Sequence, residues 1–241
     1  MKRDILGVSF DNVTMTEAVA AGSAMVKQGG FHYVVTPNPE LVNLSKTDDQ
    51  YRRILNAADL VLPDGVGILY AARILGTPLR ERVPGIDFAA GLLAYMTAAG
   101  TRLYLLGAKP GVAEKAQARL KAHYPGLVIC GLGDGYFKND LEPAEDMRRV
   151  GAQVAFVCLG APKQEKWIAR YGPQTGARLM VGLGGVLDVY AGNVKRAPLG
   201  WQKLGLEWAY RLTQEPSRLG RMAKLPLFLL EAAGERHKSK K

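Results

Sequence analysis

The sequence predicts an α/β fold, a mostly parallel sheet with flanking helices followed by a basic helical appendage. Three observations lead there. Short apolar runs rich in β-branched residues alternate with helical patterns along most of the chain. Several of those runs end in a glycine- or proline-containing turn that opens directly into the next helix. Basic residues then gather at the C-terminal end: from Lys195 to Lys241, eleven Lys/Arg stand against four Glu, a balance of +7 within a chain of net charge +10. We therefore expect residues 1–195 to form the α/β domain and residues 196–241 an amphipathic helical appendage, disordered at its extreme C-terminus. With 241 residues the chain is long enough to bury an ordinary core.

Taken in order, Asp4 to Phe10 reads as a first strand. Thr14-Met15-Thr16-Glu17 fits a capping box opening a helix to about Gln28, ended by Gly29-Gly30. The run Phe31 to Val35 suits a strand, and Thr36-Pro37-Asn38-Pro39 puts polar groups at its exit before the next helical pattern. His32 reads as a packed or hydrogen-bonded residue rather than a metal ligand, since nothing with metal-binding spacing accompanies it. A helix over about Asp48–Ala57 leads to the short strand Leu60-Val61-Leu62, then Pro63-Asp64-Gly65-Val66-Gly67 and a buried helix through Leu75. Carboxyl ends of strands in α/β folds are where ligands collect. Position alone leaves Asp64 two roles, a cap on the helix that follows or a general base in a cleft. Thr77 to Phe88, with two prolines and a glycine, reads as a loop. Its Arg82 and Asp87 are surface charges or a local ion pair, and Arg82 also suits a phosphate or carboxylate.

The middle of the chain has the most regular, Rossmann-like repeat. Arg102–Leu106 is a strand and Gly107-Ala108-Lys109-Pro110-Gly111 a tight turn. Val112 to His123 follows as a helix, Leu127–Cys130 as a strand, and Gly131 to Phe137, including Tyr136, as a glycine-rich exit. Backbone N–H groups at such a helix start suit an anion. The turn lacks both G-x-G-x-x-G and a Walker A lysine, which argues against a dinucleotide oxidoreductase or P-loop enzyme. Val154–Leu159 repeats the pattern, with Pro162 in the first turn of a helix carrying Lys163, Gln164 and Lys166; these read as phosphate ligands or as solvated surface. Arg178–Val181 is the last strand, leaving through Gly182-Leu183-Gly184-Gly185 toward Asp188, with room for close backbone approach to a ligand.

Cys130 and Cys158 sit in apolar runs and read as reduced core thiols. The N-terminus has no apolar segment after its charges, and no apolar run approaches the roughly 20 residues that cross a bilayer, so neither a signal peptide nor a spanning helix is expected. The basic appendage points to a polyanion. Arg218, Arg221 and Lys224 lie beside a leucine-rich edge on a body of balance only +3, which favours an anionic membrane surface or packing on the protein over nucleic acid.

Five segments, in this order, resemble the WecG/TagA/CpsF glycosyltransferases: Thr36-Pro37-Asn38, Pro63 to Gly67, Arg82-Val83-Pro84-Gly85, Gly160 to Trp167, and Gly184 to Pro198. The closing Gly205 to Leu212 with Arg218 and Arg221 most resembles the family's TagA branch. The resemblance implies transfer of N-acetylmannosamine from its UDP donor to the 4-hydroxyl of undecaprenyl-diphosphate-linked N-acetylglucosamine, with inversion, in teichoic acid linkage-unit synthesis. The alternative is transfer of a UDP-N-acetylmannosaminuronate or other UDP-hexose to a lipid-linked sugar. It further implies Asp64 as base, with Thr36 and Asn38 beside the reacting sugars. Arg82, Gly107, Tyr136, Gln164, Gly184 and Asp188 are then expected to bind substrate, and Arg211, Arg218 and Arg221 to bring charge as the appendage folds over the cleft. No Asp-x-Asp motif is present, so neither metal nor other cofactor is expected. A cytoplasmic protein, peripheral on the inner membrane face and self-associating away from it, completes the expectation.

Overall fold

The structure is a computed structural model and describes residues 1–203, 205–214 and 225–238. Six parallel strands form one sheet: β3 (His32–Val35), β4 (Leu60–Val61), β5 (Arg102–Gly107), β6 (Val128–Gly133), β7 (Val154–Cys158) and β8 (Leu179–Gly182). Their spatial order is β4-β3-β8-β7-β5-β6. The α/β expectation holds.

The pleat separates two apolar faces. One carries Tyr33, Val35, Val61, Tyr104, Leu106, Val157 and Met180, covered by α2 (Pro39–Thr47), α3 (Asp49–Asn56), α4 (Val66–Leu75), α7 (Glu142–Arg149) and α8 (Lys163–Tyr171). The other carries Val34, Leu60, Leu103, Leu105, Phe156 and Val181, covered by α1 (Met15–Gln28), α5 (Gly85–Ala99), α6 (Val112–His123) and α9 (Val186–Ala191). Alternate residues of the same strands thus feed opposite cores, which is why these strands read as continuous apolar runs.

Three local expectations are corrected. The stretch Asp4–Phe10 is not one strand but an antiparallel hairpin, β1 (Lys2–Ile5) and β2 (Val8–Asp11). Leu6 and Gly7 turn it, both at positive φ, and this sends Ile5, Val8 and Phe10 into one core. The loop after Thr77 stops at Pro84, because Gly85 already opens α5. Pro162 takes the N-cap position before α8 rather than its first turn. The Thr14 capping box is present in full, with Glu17 N donating to Thr14 Oγ1 and Thr14 N to the Glu17 carboxylate.

After α9 the chain forms α10 (Leu199–Lys203), α11 (Glu207–Gln214) and α12 (Leu225–Lys238). The last of these packs on α4 and α2, and its Phe228 and Ala232 are fully buried in the first core. The expected disorder at the C-terminus concerns residues 239–241, which lie outside the described residues.

Candidate active site

Two pairs of neighbouring strands send their connections in opposite directions. From β5 the chain goes to β6 at one edge, and from adjacent β7 it returns to β8. From β3 it goes to β4 at the other edge, while β8 leads into α9, which packs on α6. Crevices open at such reversals, beyond the carboxyl ends of the strands.

The crevice at β3, β4 and β8 forms a cleft of about 300 Å³. Asn38, Asp64, Arg82 and Asp188 line it, together with Pro84, Gly85, Leu183 and Val186 from the body and Glu207, Trp208 and Leu225 from the C-terminal region. Backbone bonds weave its rim. Asp64 N donates to Pro37 O at 3.3 Å and Val83 N donates to Pro63 O at 3.0 Å, so the β4 exit is tied to both flanking loops.

Asp64 does not cap α4. Gly65 holds the N-cap position with no side-chain cap, and Asp64 Oδ2 accepts from Gly85 N at 3.4 Å. The carboxylate therefore stays at the cleft between the α4 and α5 starts. Asn38 caps α2 instead: its Oδ1 accepts from Leu41 N at 3.1 Å, which leaves the amide N–H₂ as the donor for a ligand. Gly67 leaves the room this assembly needs, since a Cβ there would come within 2.6 Å of Leu225 and 2.7 Å of Pro39.

Two further expected residues, Thr36 and Gln164, stand behind the cleft wall. Thr36 Oγ1 donates to Gly182 O at 3.1 Å, linking β3 to β8. Gln164 is buried, its Oε1 accepting from Gly184 N at 2.9 Å and its Nε2 donating to Glu165 Oε1 at 2.7 Å. Gln164 thus shapes the glycine-rich exit from inside. Burial pushes the Glu165 carboxyl up, against its hydrogen bond from Gln164, and among the described residues neither its Oε2 nor the buried Tyr51 hydroxyl of α3 has a hydrogen-bond partner. Asp188 Oδ1 accepts from Asn193 Nδ2 at 3.3 Å.

Gly107 and Tyr136 belong to the other crevice. A Cβ on Gly107 would lie 2.3 Å from Cys158 O, so close packing of β5 on β7 requires glycine there. Tyr136 is 65% exposed beside Lys163, whose Nζ donates to Gly135 O at 3.0 Å and lies over the Phe137 ring. Arg211 sits on α11 with its side chain outside the described set, and Arg218 and Arg221 lie outside the described residues.

The residue that sequence reading missed is Glu207. Its carboxylate pairs with Arg82 and with Arg196 Nε, and Arg196 binds both oxygens of Asp87 at 2.5 and 2.7 Å. Arg82 and Asp87 therefore have other partners than each other. Burial pushes the Glu207 carboxyl up, and the Arg82 and Arg196 guanidiniums outweigh it, leaving it below the usual carboxylate range. An acid in a basic segment is a weak signal by itself; only the fold brings both arginines to it. His32 is a hydrogen-bonded residue, its Nδ1 2.8 Å from Asp59 Oδ1. Among the described residues, no group of three or more His, Cys, Asp or Glu stands in metal-ligating geometry.

A model of the glycosyl transferase WecG/TagA/CpsF family matches residues 3–241. The chain is 36% identical, over 245 aligned positions, to proteins of Staphylococcus aureus strains MRSA252 and NCTC 8325. The match takes in 100% of this chain and 95% of each relative. Both relatives are named N-acetylglucosaminyldiphosphoundecaprenol N-acetyl-beta-D-mannosaminyltransferase.

Proposed function

The chain belongs to the WecG/TagA/CpsF family of glycosyl transferases, and from that premise we propose that it moves N-acetylmannosamine from UDP-N-acetylmannosamine to undecaprenyl-diphosphate-linked N-acetylglucosamine. The attacking group is the acceptor 4-hydroxyl, and the product enters the teichoic acid linkage unit. The observation that carries the reading is the meeting of Asn38, Asp64 and Arg82, from three separate segments, in one cleft.

In this reading Asp64 is the base. As the acceptor oxygen bonds to the anomeric carbon, its proton passes to the Asp64 carboxylate; the bond to UDP breaks and its electron pair leaves on the β-phosphate oxygen. Attack opposite the leaving group inverts the anomeric centre. The Asn38 amide orients the sugars, and Thr36, bonded to Gly182 O behind the wall, holds the β3 exit that carries Asn38. Arg82, with Arg211, Arg218 and Arg221, meets the negative charge developing on the diphosphate, as fixed cations do most effectively in a desolvated site. Gly184, held by Gln164, and Asp188 form the wall, and Gly107 and Tyr136 border the nucleotide end of the donor.

Residues 1–195 form the catalytic domain in this account, and residues 196–241 complete it. The acceptor is lipid-linked, so the enzyme works as a peripheral protein on the inner membrane face, its basic C-terminal region toward anionic headgroups. No helix among the described residues is long and apolar enough to cross a membrane.

The test is UDP release from UDP-N-acetylmannosamine, with and without the lipid-diphosphate acceptor, in EDTA. We expect acceptor-dependent turnover that resists the chelator and falls by about 10²–10⁴ in Asp64→Asn. Parental turnover by that variant would remove Asp64 from its role, and no turnover by the folded parent would overturn the reading.

A further inference from the structure

Glu207, at the start of α11, has both carboxylate oxygens engaged by guanidiniums, those of Arg82 and Arg196. One oxygen accepts from Arg82 Nη2 and the other from Arg196 Nε at 3.2 Å. Arg196 in turn donates through Nη1 and Nη2 to Asp87, on the first turn of α5. Four charges, two of each sign, therefore run from α5 to the cleft in the order Asp87, Arg196, Glu207, Arg82. The Glu207–Arg82 pair is largely withdrawn from solvent, with Glu207 12% and Arg82 18% exposed, so salt screens it less than an exposed pair.

Anchoring α11 does not by itself require both arginines. Arg196, already braced by Asp87, would hold Glu207 alone. The second contact engages Arg82, which lines the cleft as Glu207 itself does. A guanidinium carries five N–H donors. Glu207 takes one at Nη2, while Nε is buried without a hydrogen-bond partner among the described residues. A buried donor left unmade is costly, so the bond from Nη2 to Glu207, rather than full hydrogen bonding of the guanidinium, holds Arg82 in this position.

We propose that Glu207 is a positioning residue: one carboxylate seats α11 at the cleft and holds the Arg82 guanidinium for the charged part of a nucleoside-diphosphate sugar. This inference rests on the function proposed above for its substrate class. Seating of the C-terminal segment and orientation of Arg82 are then a single event. A donor held by Arg82 is held only when α11 is in place.

Full-length Glu207→Gln, Arg82→Gln and the double variant test this, alongside Glu207→Asp. Each single glutamine variant should lose about 10–100-fold in kcat/KM. The double variant should lose no more than the worse single, because the two residues act as one unit. Glu207→Asp, which keeps the charge, should recover part of the loss. Losses that multiply, or a Glu207→Gln enzyme with parental kcat/KM, would overturn the proposal.

Limited trypsin digestion reads the seating without any substrate. Cleavage within residues 205–214 should accelerate about 3–10-fold in Glu207→Gln while cleavage of the body stays at the parental rate. Unchanged cleavage overturns the clamp whatever turnover does. Accelerated cleavage in a chain that is inert toward donor and acceptor overturns the proposed function and leaves the clamp standing.

Discussion

Helices α11 and α12 lie on the same body, and different forces hold them. For α12 the hold is apolar: Phe228 and Ala232 are fully buried, and Leu225 fills the space left by Gly67. Its ion pair with the body, Lys46 to Glu231, is peripheral, with Glu231 55% exposed. In α11 the proportions reverse. Trp208 and the preceding Leu206 are partly exposed, while Glu207 is withdrawn from solvent between two arginines. Apolar burial is non-directional and makes a helix part of the fold. A desolvated charge pair is directional, so it fixes the orientation of a functional group as well as a helix.

Breaking the apolar side of this contrast should have the largest effect on stability. Phe228→Ala removes a fully buried ring and is expected to cost about 3–5 kcal/mol, lowering the melting temperature by roughly 10 °C. A melt within a degree or two of the parent would mean that α12 is not part of the core.

Acid should separate the two helices. The Glu207 carboxyl titrates below its ordinary value, so the clamp is fully present above the unfolded carboxylate pKa of about 4.3 and is lost as pH falls through the folded value. Arg82 and Arg196 stay charged throughout, and Asp87 is the other carboxylate of the network. Hydrogen exchange, corrected for intrinsic rates, should therefore rise in residues 207–214 before residues 225–238 on going from about pH 7 to 3.5. Simultaneous loss of protection in both helices would erase the distinction.

The smallest effect sharpens the comparison. Glu231→Gln removes an ion pair of the same chemistry from an exposed site and should cost at most about 1 kcal/mol, with turnover unchanged. A loss of turnover like that expected for Glu207→Gln would show that charge alone, rather than its burial and its partner Arg82, decides the outcome.

Much of the fold was legible because its signals are local. Strand exits rich in glycine and proline, the Thr14 capping box and the apolar runs that feed both faces all report on neighbouring residues. The N-terminal hairpin was not legible. Its turn puts Leu6 at positive φ, where glycine or asparagine would have announced it. Asp64 was visible as a strand-exit acid, yet its two roles separate only when Gly65 is seen at the cap and Gly85 N at the carboxylate.

By itself the sequence determined the class of fold, the order of the family's motifs and the basic character of the C-terminal region. The tertiary structure decided which strand exits share a cleft. The order β4-β3-β8-β7-β5-β6 brings Asn38, Asp64 and Asp188 together and leaves Gly107 and Tyr136 at the neighbouring crevice. It also decided that Glu207 meets Arg82, 125 positions away, and that Arg196 meets Asp87, 109 positions away. Propensity and periodicity act over a few residues, whereas a charge takes its partner from whatever the packed helices and strands bring within about 4 Å.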